Sequence, residues 1–329
     1  MVLDRLSQEI GSRAHSFYYP LSLSMLPLAM RVAQSALSRY GVVTREYRLC
    51  DTPMSLYYAP AQDDHPQRMA VLLVHGVTAN AITWALQIPS LRSIGPVYAV
   101  DLPGFGLSGL PPGKRYSTLH DQCAVLQAVI NDVIQRPTLV VGYSLGGWLA
   151  VRLAWMMPQM VTGAVIINSG GALLKGADSW LPFLEKTRMR NLAAVITVCQ
   201  ELFYSPVVRL VFAIGLASVQ WLFAREQAQQ FFLSLQADDF LHADELRELP
   251  VPAALLWGMQ DTFLPEGSFE FFRDNLPHAF TLFLSNCGHM PIWDTPLTVS
   301  HFIRAFAQHL YRTQAAGMHQ FNATNQIPA

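Results

Sequence analysis

The stretch Pro137-Thr-Leu-Val-Val-Gly-Tyr-Ser-Leu-Gly-Gly-Trp148 constrains this chain more than any other. Thr138 to Val141 has strand character, Gly142-Tyr-Ser-Leu-Gly146 interrupts it, and an apolar, helix-compatible segment follows from about Trp148 to Met157. G-x-S-x-G acquires its meaning in this setting of strand, sharp turn and helix, where the turn forces the serine into a strained backbone conformation. A side chain at Gly142 or Gly146 would collide with the neighbouring strand or helix. Ser144 Oγ is therefore expected at the carboxyl end of a sheet, above a helix N-terminus that favours developing negative charge. The bland alternative is a small-residue turn in any α/β protein, so the rest of the chain must decide.

Around this unit the sequence alternates between strand and helix. Gly41 to Leu49 and Met54 to Tyr58 flank Cys50-Asp-Thr-Pro53 and read as an antiparallel hairpin. Ala70 to Val74 is a continuous apolar run, as expected of a strand buried on both faces, and it ends in His75-Gly-Val-Thr78. Pro96 to Val100 is the next strand, ending at Asp101-Leu-Pro-Gly-Phe-Gly-Leu-Ser108, and Ser117 to Ile134 reads as a helix. Val161 to Ile167 is a strand running into Asn168-Ser-Gly-Gly171. Such alternation implies βαβ units and a mostly parallel sheet.

From Ala172 to Pro250 the pattern breaks into helical blocks: Trp180 to Met189, Leu192 to Phe203, Val207 to Phe223 and Glu226 to Leu235. Strand and helix resume with Val251 to Trp257, Ser268 to Asn275 and Ala279 to Leu284, and an amphipathic helix covers about Thr298 to Tyr311. The expected organisation is a hydrophobic N-terminal helical segment (1–40), a sheet core (41–171 and 251–312), an inserted helical cap (172–250) and a flexible tail (313–329).

Composition narrows the function. The 329 residues carry a net charge of −1 with 14% charged side chains, so no basic footprint for nucleic acid is present. Low charge with positive mean hydropathy points to membrane contact or a greasy substrate. Cys50, Cys123, Cys199 and Cys287 form no C-x-x-C pair, which argues against a zinc site or a disulfide framework, and no metal or other cofactor is expected. No basic region leads into an apolar run with a cleavage site, so no secretory signal is read and the expected location is cytoplasmic or membrane-associated. Phe17 to Met30 is apolar but interrupted by Pro20 and Pro27 and closed by Arg31. That is short of the roughly 20 residues a bilayer span needs, so an interfacial or lid-like helix is preferred over a true span.

A serine hydroxyl needs a general base within hydrogen-bond reach, and the base needs an acid to orient it. His289, in the glycine-supported loop Asn286-Cys-Gly-His-Met-Pro291, is the expected base, and His75 is read as structural. Asp261 lies just beyond a strand in Trp257-Gly-Met-Gln-Asp261 and is the expected acid. Asp294 competes with it but is read as a cap of the last helix, and Asp238 and Asp239 are weaker still. The order Ser…Asp…His, each at the carboxyl end of a strand, belongs to one triad-bearing arrangement and not to the others. The developing oxyanion needs preorganised donors, for which the backbone N–H groups of Leu145 and Val77 are placed. Cys287, two residues before His289, is read as a small buried residue.

With these motifs in order, His75-Gly76, Asp101 to Ser108, Gly142 to Gly146, Trp257 to Asp261 and Gly288-His289, the chain resembles the α/β-hydrolase superfamily over roughly Gly41 to Tyr311. The resemblance implies an α/β-hydrolase fold: a mostly parallel central sheet with helices on both faces and an inserted helical cap. Haloalkane dehalogenases and epoxide hydrolases carry an aspartate where this chain has Ser144. The nearer resemblances are to monoacylglycerol-lipase-like hydrolases and to carboxylesterases that cleave pimeloyl methyl esters. The expected activity is cofactor-independent hydrolysis of a carboxylic ester with a lipophilic acyl chain. A thioesterase or amidase would use the same parts, and a non-catalytic ligand-binding protein or a cofactor-free oxygenase on the same fold are the rivals. Peripheral membrane contact through the N-terminal segment is a further expectation, against the reading of that segment as part of a substrate tunnel.

Overall fold

The computed structural model describes residues 31–324 except 33, 64, 66–67, 176, 190–191, 214–222 and 224. Eight strands form one sheet: β1 (Val43–Leu49), β2 (Thr52–Ala59), β3 (Ala70–Val74), β4 (Val97–Val100), β5 (Thr138–Tyr143), β6 (Val161–Ile167), β7 (Ala253–Gly258) and β8 (Phe280–Leu284). Their spatial order is β1-β2-β4-β3-β5-β6-β7-β8. The β1–β2 hairpin joins antiparallel to β4, and every later pair is parallel. This is the α/β-hydrolase fold expected from the motif order.

The strand sequences explain the layering. In β5, Val140 packs with one apolar cluster while Leu139, Val141 and Tyr143 pack with the other, so the central strand is buried on both faces. Continuous apolar runs without alternation are what that environment requires. One face is covered by helices α1 (Leu119–Ala128) and α2 (Leu145–Met156), with Leu126, Leu149 and Leu153 fully buried. The other face is covered by the turn Ile88–Leu91 and a long C-terminal helix that contributes Val299, Phe302, Ile303 and Phe306. Thr118 begins α1 with a reciprocal capping box to Asp121.

Between β6 and β7 the chain leaves the sheet and builds α3 (Leu181–Thr187), α4 (Leu192–Leu202), α5 (Pro206–Ala213), α6 (Glu226–Ser234) and α7 (Ala243–Arg247). This segment is fastened to α2. Arg152 of α2 reaches the carbonyls of Asp239 and Phe240 at 2.8 and 2.9 Å and forms an ion pair with Glu245, and Trp148 Nε1 donates to Asp239 O at 3.0 Å. It is fastened a second time where Gln227 of α6 donates to Ser117 Oγ at 3.0 Å and to Pro103 O at 3.2 Å. After β7 come α8 (Ser268–Asn275), the short α9 (Pro291–Asp294) and α10 (Pro296–Thr324).

Two details depart from expectation. Helix α10 continues to Thr324, into the stretch expected to be a flexible tail. Gln314, Ala315, Ala316, Met318 and Gln320 are good helix formers, and the single Gly317 does not outweigh them. Asp294 does not cap that helix, because its carboxylate is taken up by the amides of Tyr204, Ser205 and Gly288. The apolar stretch Phe17 to Met30 and the end of the block expected to be helical up to Phe223 lie largely outside the described residues. Among the described residues no helix is long and apolar enough to cross a membrane.

Candidate active site

Ser144 follows the last residue of β5 and immediately precedes α2, with φ 55° and ψ −117°. A non-glycine residue rarely holds a positive φ, and strain of this kind persists only where the surroundings enforce it. The enforcement is visible at the flanking glycines. A Cβ on Gly142 would overlap the Gly146 carbonyl, and one on Gly146 would overlap the carbonyl of Val74 at the end of β3. Only glycine lets strand and helix approach closely enough to turn the chain this sharply.

The loop after β8 delivers His289, buried to 1% exposure, against the serine. His289 Nε2 lies 3.2 Å from Ser144 Oγ, and Nδ1 lies 2.8 Å from Asp261 Oδ2. An ionised carboxylate only accepts, so Nδ1 carries the proton and Nε2 is left with its lone pair toward the serine. The rings of Tyr143 and Phe263 flank the imidazole, with centroids at 5.2 and 4.8 Å.

Asp261 sits in the turn after β7. Its Oδ1 accepts from the amides of Phe263 and Leu264 at 3.0 and 3.2 Å, and its Oδ2 accepts from Asn168 Nδ2 at 2.7 Å. Burial alone would raise this carboxyl. The adjoining His289, through charge and hydrogen bond, and the Asn168 amide outweigh it and hold Asp261 below the usual carboxylate range. Asn168 was not singled out as a site residue in the sequence. Its one signal was its position at the carboxyl end of β6, the place in the other strands that supplies Ser144 and Asp261.

The loop after β3 passes beside the serine. A Cβ on Gly76 would stand 3.0 Å from Ser144 Cβ and 2.9 Å from the Tyr143 ring, so glycine is what allows the following Val77 to lie there. Neither the Val77 nor the Leu145 amide donates to an acceptor among the described residues. His75 holds this loop in place: Nδ1 donates to Gly76 O at 2.7 Å and Nε2 accepts from Leu102 N at 3.0 Å. Burial lowers its pKa to about 4, so the ring is neutral and structural. Asp101, fully buried, accepts from Ala81 N at 2.6 Å and Leu107 N at 2.8 Å and braces the same region from the next loop.

The competing groups go elsewhere. Asp294 accepts three backbone amides, from Tyr204, Ser205 and Gly288. Asp239 closes a local turn on Gln236. Cys287 is fully buried, and burial first, then the carboxylate of Asp294, pushes its thiol up to about 12, so it supplies no thiolate. Beyond the histidine the packing toward the inserted helices is aromatic: Phe263 meets Phe183 at 5.1 Å and Phe183 meets Phe232 at 5.6 Å, edge to face. Phe232 also lines a cavity of about 180 Å³ between α3 and α6, with Leu181, Leu184 and Leu233.

Comparison with known proteins agrees with this architecture. A model of the alpha/beta hydrolase family matches residues 71–301. The chain is 23% identical over 261 residues to an uncharacterized hydrolase of Bacillus subtilis, covering 77% of this chain and 94% of that protein. It is 27% identical over 237 residues to the pimeloyl-(acyl-carrier protein) methyl ester esterase of Nitrosomonas europaea, covering 69% of this chain and 90% of the relative. Among solved structures, a membrane phospholipase A described as a bacterial virulence factor superposes with a TM-score of 0.73 at 21% identity. The match covers 94% of this chain and 96% of that one, a likeness of fold. With the fold, the elbow and a matched span of more than half its length in agreement, the chain belongs to the alpha/beta hydrolase family.

Proposed function

We propose that this chain is a serine hydrolase of carboxylic esters with lipophilic acyl groups, with Ser144 as nucleophile, His289 as general base and Asp261 as the acid that orients it. The observation that carries the reading is the His289 ring bridging Ser144 Oγ at 3.2 Å and Asp261 Oδ2 at 2.8 Å. Ser144 Oγ attacks the ester carbonyl carbon while His289 Nε2 takes the hydroxyl proton. The carbonyl oxygen becomes an oxyanion held by the amides of Leu145 and Val77, and the N-terminal end of α2 adds a favourable dipole. Collapse of the tetrahedral species breaks the bond to the alkoxy group, which leaves as the alcohol with the proton from His289. Water then attacks the acyl-enzyme with His289 again as base, releasing the acid and restoring Ser144.

The rings of Phe263, Phe183 and Phe232 support a lipophilic acyl group, since they make the packing beside the histidine apolar and aromatic. The relative that acts on a methyl ester supports an ester over other acyl bonds. Contact of the N-terminal segment with a membrane surface is part of the same proposal, motivated by the apolar run Phe17 to Met30.

The test is labelling with a fluorophosphonate followed by mapping of the modified residue, together with Ser144→Ala assayed on short and long acyl esters. Label on Ser144 and loss of turnover in a folded Ser144→Ala protein are expected. Undiminished hydrolysis by Ser144→Ala would remove the proposal.

A further inference from the structure

His289 is held through the backbone of both its chain neighbours, on one side directly by the α4–α5 region and on the other through Asp294, which is itself bonded to that region. Its successor Met290 donates its amide to the carbonyl of Leu202, the last residue of α4, at 3.0 Å. Its predecessor Gly288 donates to Asp294 Oδ2 at 2.9 Å. The same carboxylate accepts from Tyr204 N through Oδ2 at 2.9 Å and from Ser205 N through Oδ1 at 3.0 Å, in the turn between α4 and α5. Three backbone N–H groups thus converge on one side chain, two from the inserted helices and one from the histidine loop.

The approach is backbone against backbone. A Cβ on Gly288 would stand 3.1 Å from Tyr204 N and 3.2 Å from Leu202 O, closer than a side chain normally sits. On the core side the loop is held at Cys287, whose amide donates to Gln260 Oε1 at 3.0 Å while its carbonyl accepts from Gln260 N at 2.9 Å. Beyond Cys287, the Met290 amide is held by Leu202 of α4, and the Gly288 amide by the carboxylate that also binds the turn after α4.

We propose that Asp294 is a positioning residue that couples the placement of the α4–α5 turn to the alignment of His289 with Ser144; this rests on the hydrolase reading above. The Ser144–His289 contact is a single hydrogen bond of 3.2 Å, and proton transfer across it is sensitive to small displacements of the ring. A shift of the inserted helices pulls on Gly288 and Met290 together and turns the imidazole between them.

The experiment compares Asp294→Ala, Asp294→Asn and Gly288→Ala with the full-length wild-type chain. It reads the rate of Ser144 phosphonylation by a small fluorophosphonate, and kcat and KM on acetyl and long-chain esters. Asp294→Ala removes all three acceptor contacts, and Gly288→Ala wedges loop and turn apart. Both are expected to slow phosphonylation and acetyl-ester kcat by about tenfold or more, with acetyl-ester KM changed by less than about threefold. Asp294→Asn keeps a carbonyl oxygen for Tyr204 and Gly288 and is expected within about threefold of wild type.

A folded Asp294→Ala protein that is phosphonylated at the wild-type rate overturns the coupling, even if it melts earlier or binds long esters less well. If Asp294→Ala does not fold, hydrogen exchange in Gly288→Ala decides. Loosening of 288–290 together with 202–205 supports the coupling, and loosening of either stretch alone, or of neither, overturns it. Absence of label on wild-type Ser144 overturns the hydrolase reading, and this proposal with it.

Discussion

Asn168 donates its side-chain N–H to the Asp261 oxygen that also receives His289, at 2.7 Å. Its own carbonyl oxygen accepts the Gly258 amide at 3.0 Å, so one buried side chain ties the end of β6 to the end of β7. It holds this place with φ 37°. Asn168→Ala removes one donor from the carboxylate and leaves the Gly258 amide unpaired, a cost of about 1–3 kcal/mol. The expected result is a folded protein with kcat reduced by about tenfold on a short acyl ester. Asn168→Asp places a second carboxylate against Asp261 and is expected to be worse. Equal rates in all three proteins would show that Asp261 needs no help from β6.

Two glycines at the site make opposite predictions for the same substitution. Gly146→Ala drives a Cβ into the Val74 carbonyl, a backbone atom that cannot yield, and loss of folding by about 3 kcal/mol or more is expected. At Gly170 the nearest atom to an added Cβ is on Trp180 at 3.6 Å, an ordinary contact. Gly170→Ala is expected within about 0.5 kcal/mol of wild type. Chemical denaturation of the two variants checks both.

His75 and Asp101 act against each other in acid. His75 is lowered to about 4 by burial, so between pH 6.5 and about 4 the unfolded chain binds a proton that the folded one refuses, and stability falls as pH falls. Asp101 is raised from 3.8 to about 6, mainly by burial, so between about 6 and 4 the folded chain binds a proton that the unfolded one does not, and stability rises as pH falls. Each effect is on the order of 3 kcal/mol, and over the shared window they largely cancel. Asp101→Asn removes the compensating half. Its melting temperature is expected to drop more steeply than that of wild type from pH 6 to pH 4. Parallel curves would contradict this assignment.

Phe263 touches both the His289 ring and Phe183, which makes it the residue where acyl recognition meets the proposed chemistry. Phe263→Ala removes apolar contact worth roughly 1–3 kcal/mol to a chain lying against it. We expect kcat/KM for an eight-carbon acyl ester to fall about tenfold further than for the acetyl ester. A uniform fall across chain lengths would instead place Phe263 in the support of the histidine.

Much of this protein is legible in one dimension because the decisive signals are local. A buried parallel strand announces itself as an unbroken apolar run, as in Ala70–Val74 and Thr138–Tyr143, since both faces must leave water. The elbow is local too: Gly142, Ser144 and Gly146 lie within one turn, and their steric requirement holds in any surroundings. Strand ends then locate Ser144, Asp261 and His289 as one set, because a parallel sheet gathers the carboxyl ends of its strands on one edge.

The rest was decided by packing between segments far apart in the chain. Asn168 and Asp261 are 93 residues apart, and Asp294 meets Tyr204 across 90. Asparagine at a strand end or aspartate in a turn is common turn chemistry, and no periodicity or spacing marks either as a partner for a distant group. Asp294 shows the difference most clearly. As sequence it stands one residue from a helix start and reads as a cap. In the folded chain its carboxylate instead serves three backbone N–H groups, one nearby at Gly288 and two from the distant turn at Tyr204 and Ser205. Where buried amides find their partners is a property of the assembled layers, and only the tertiary structure could assign it.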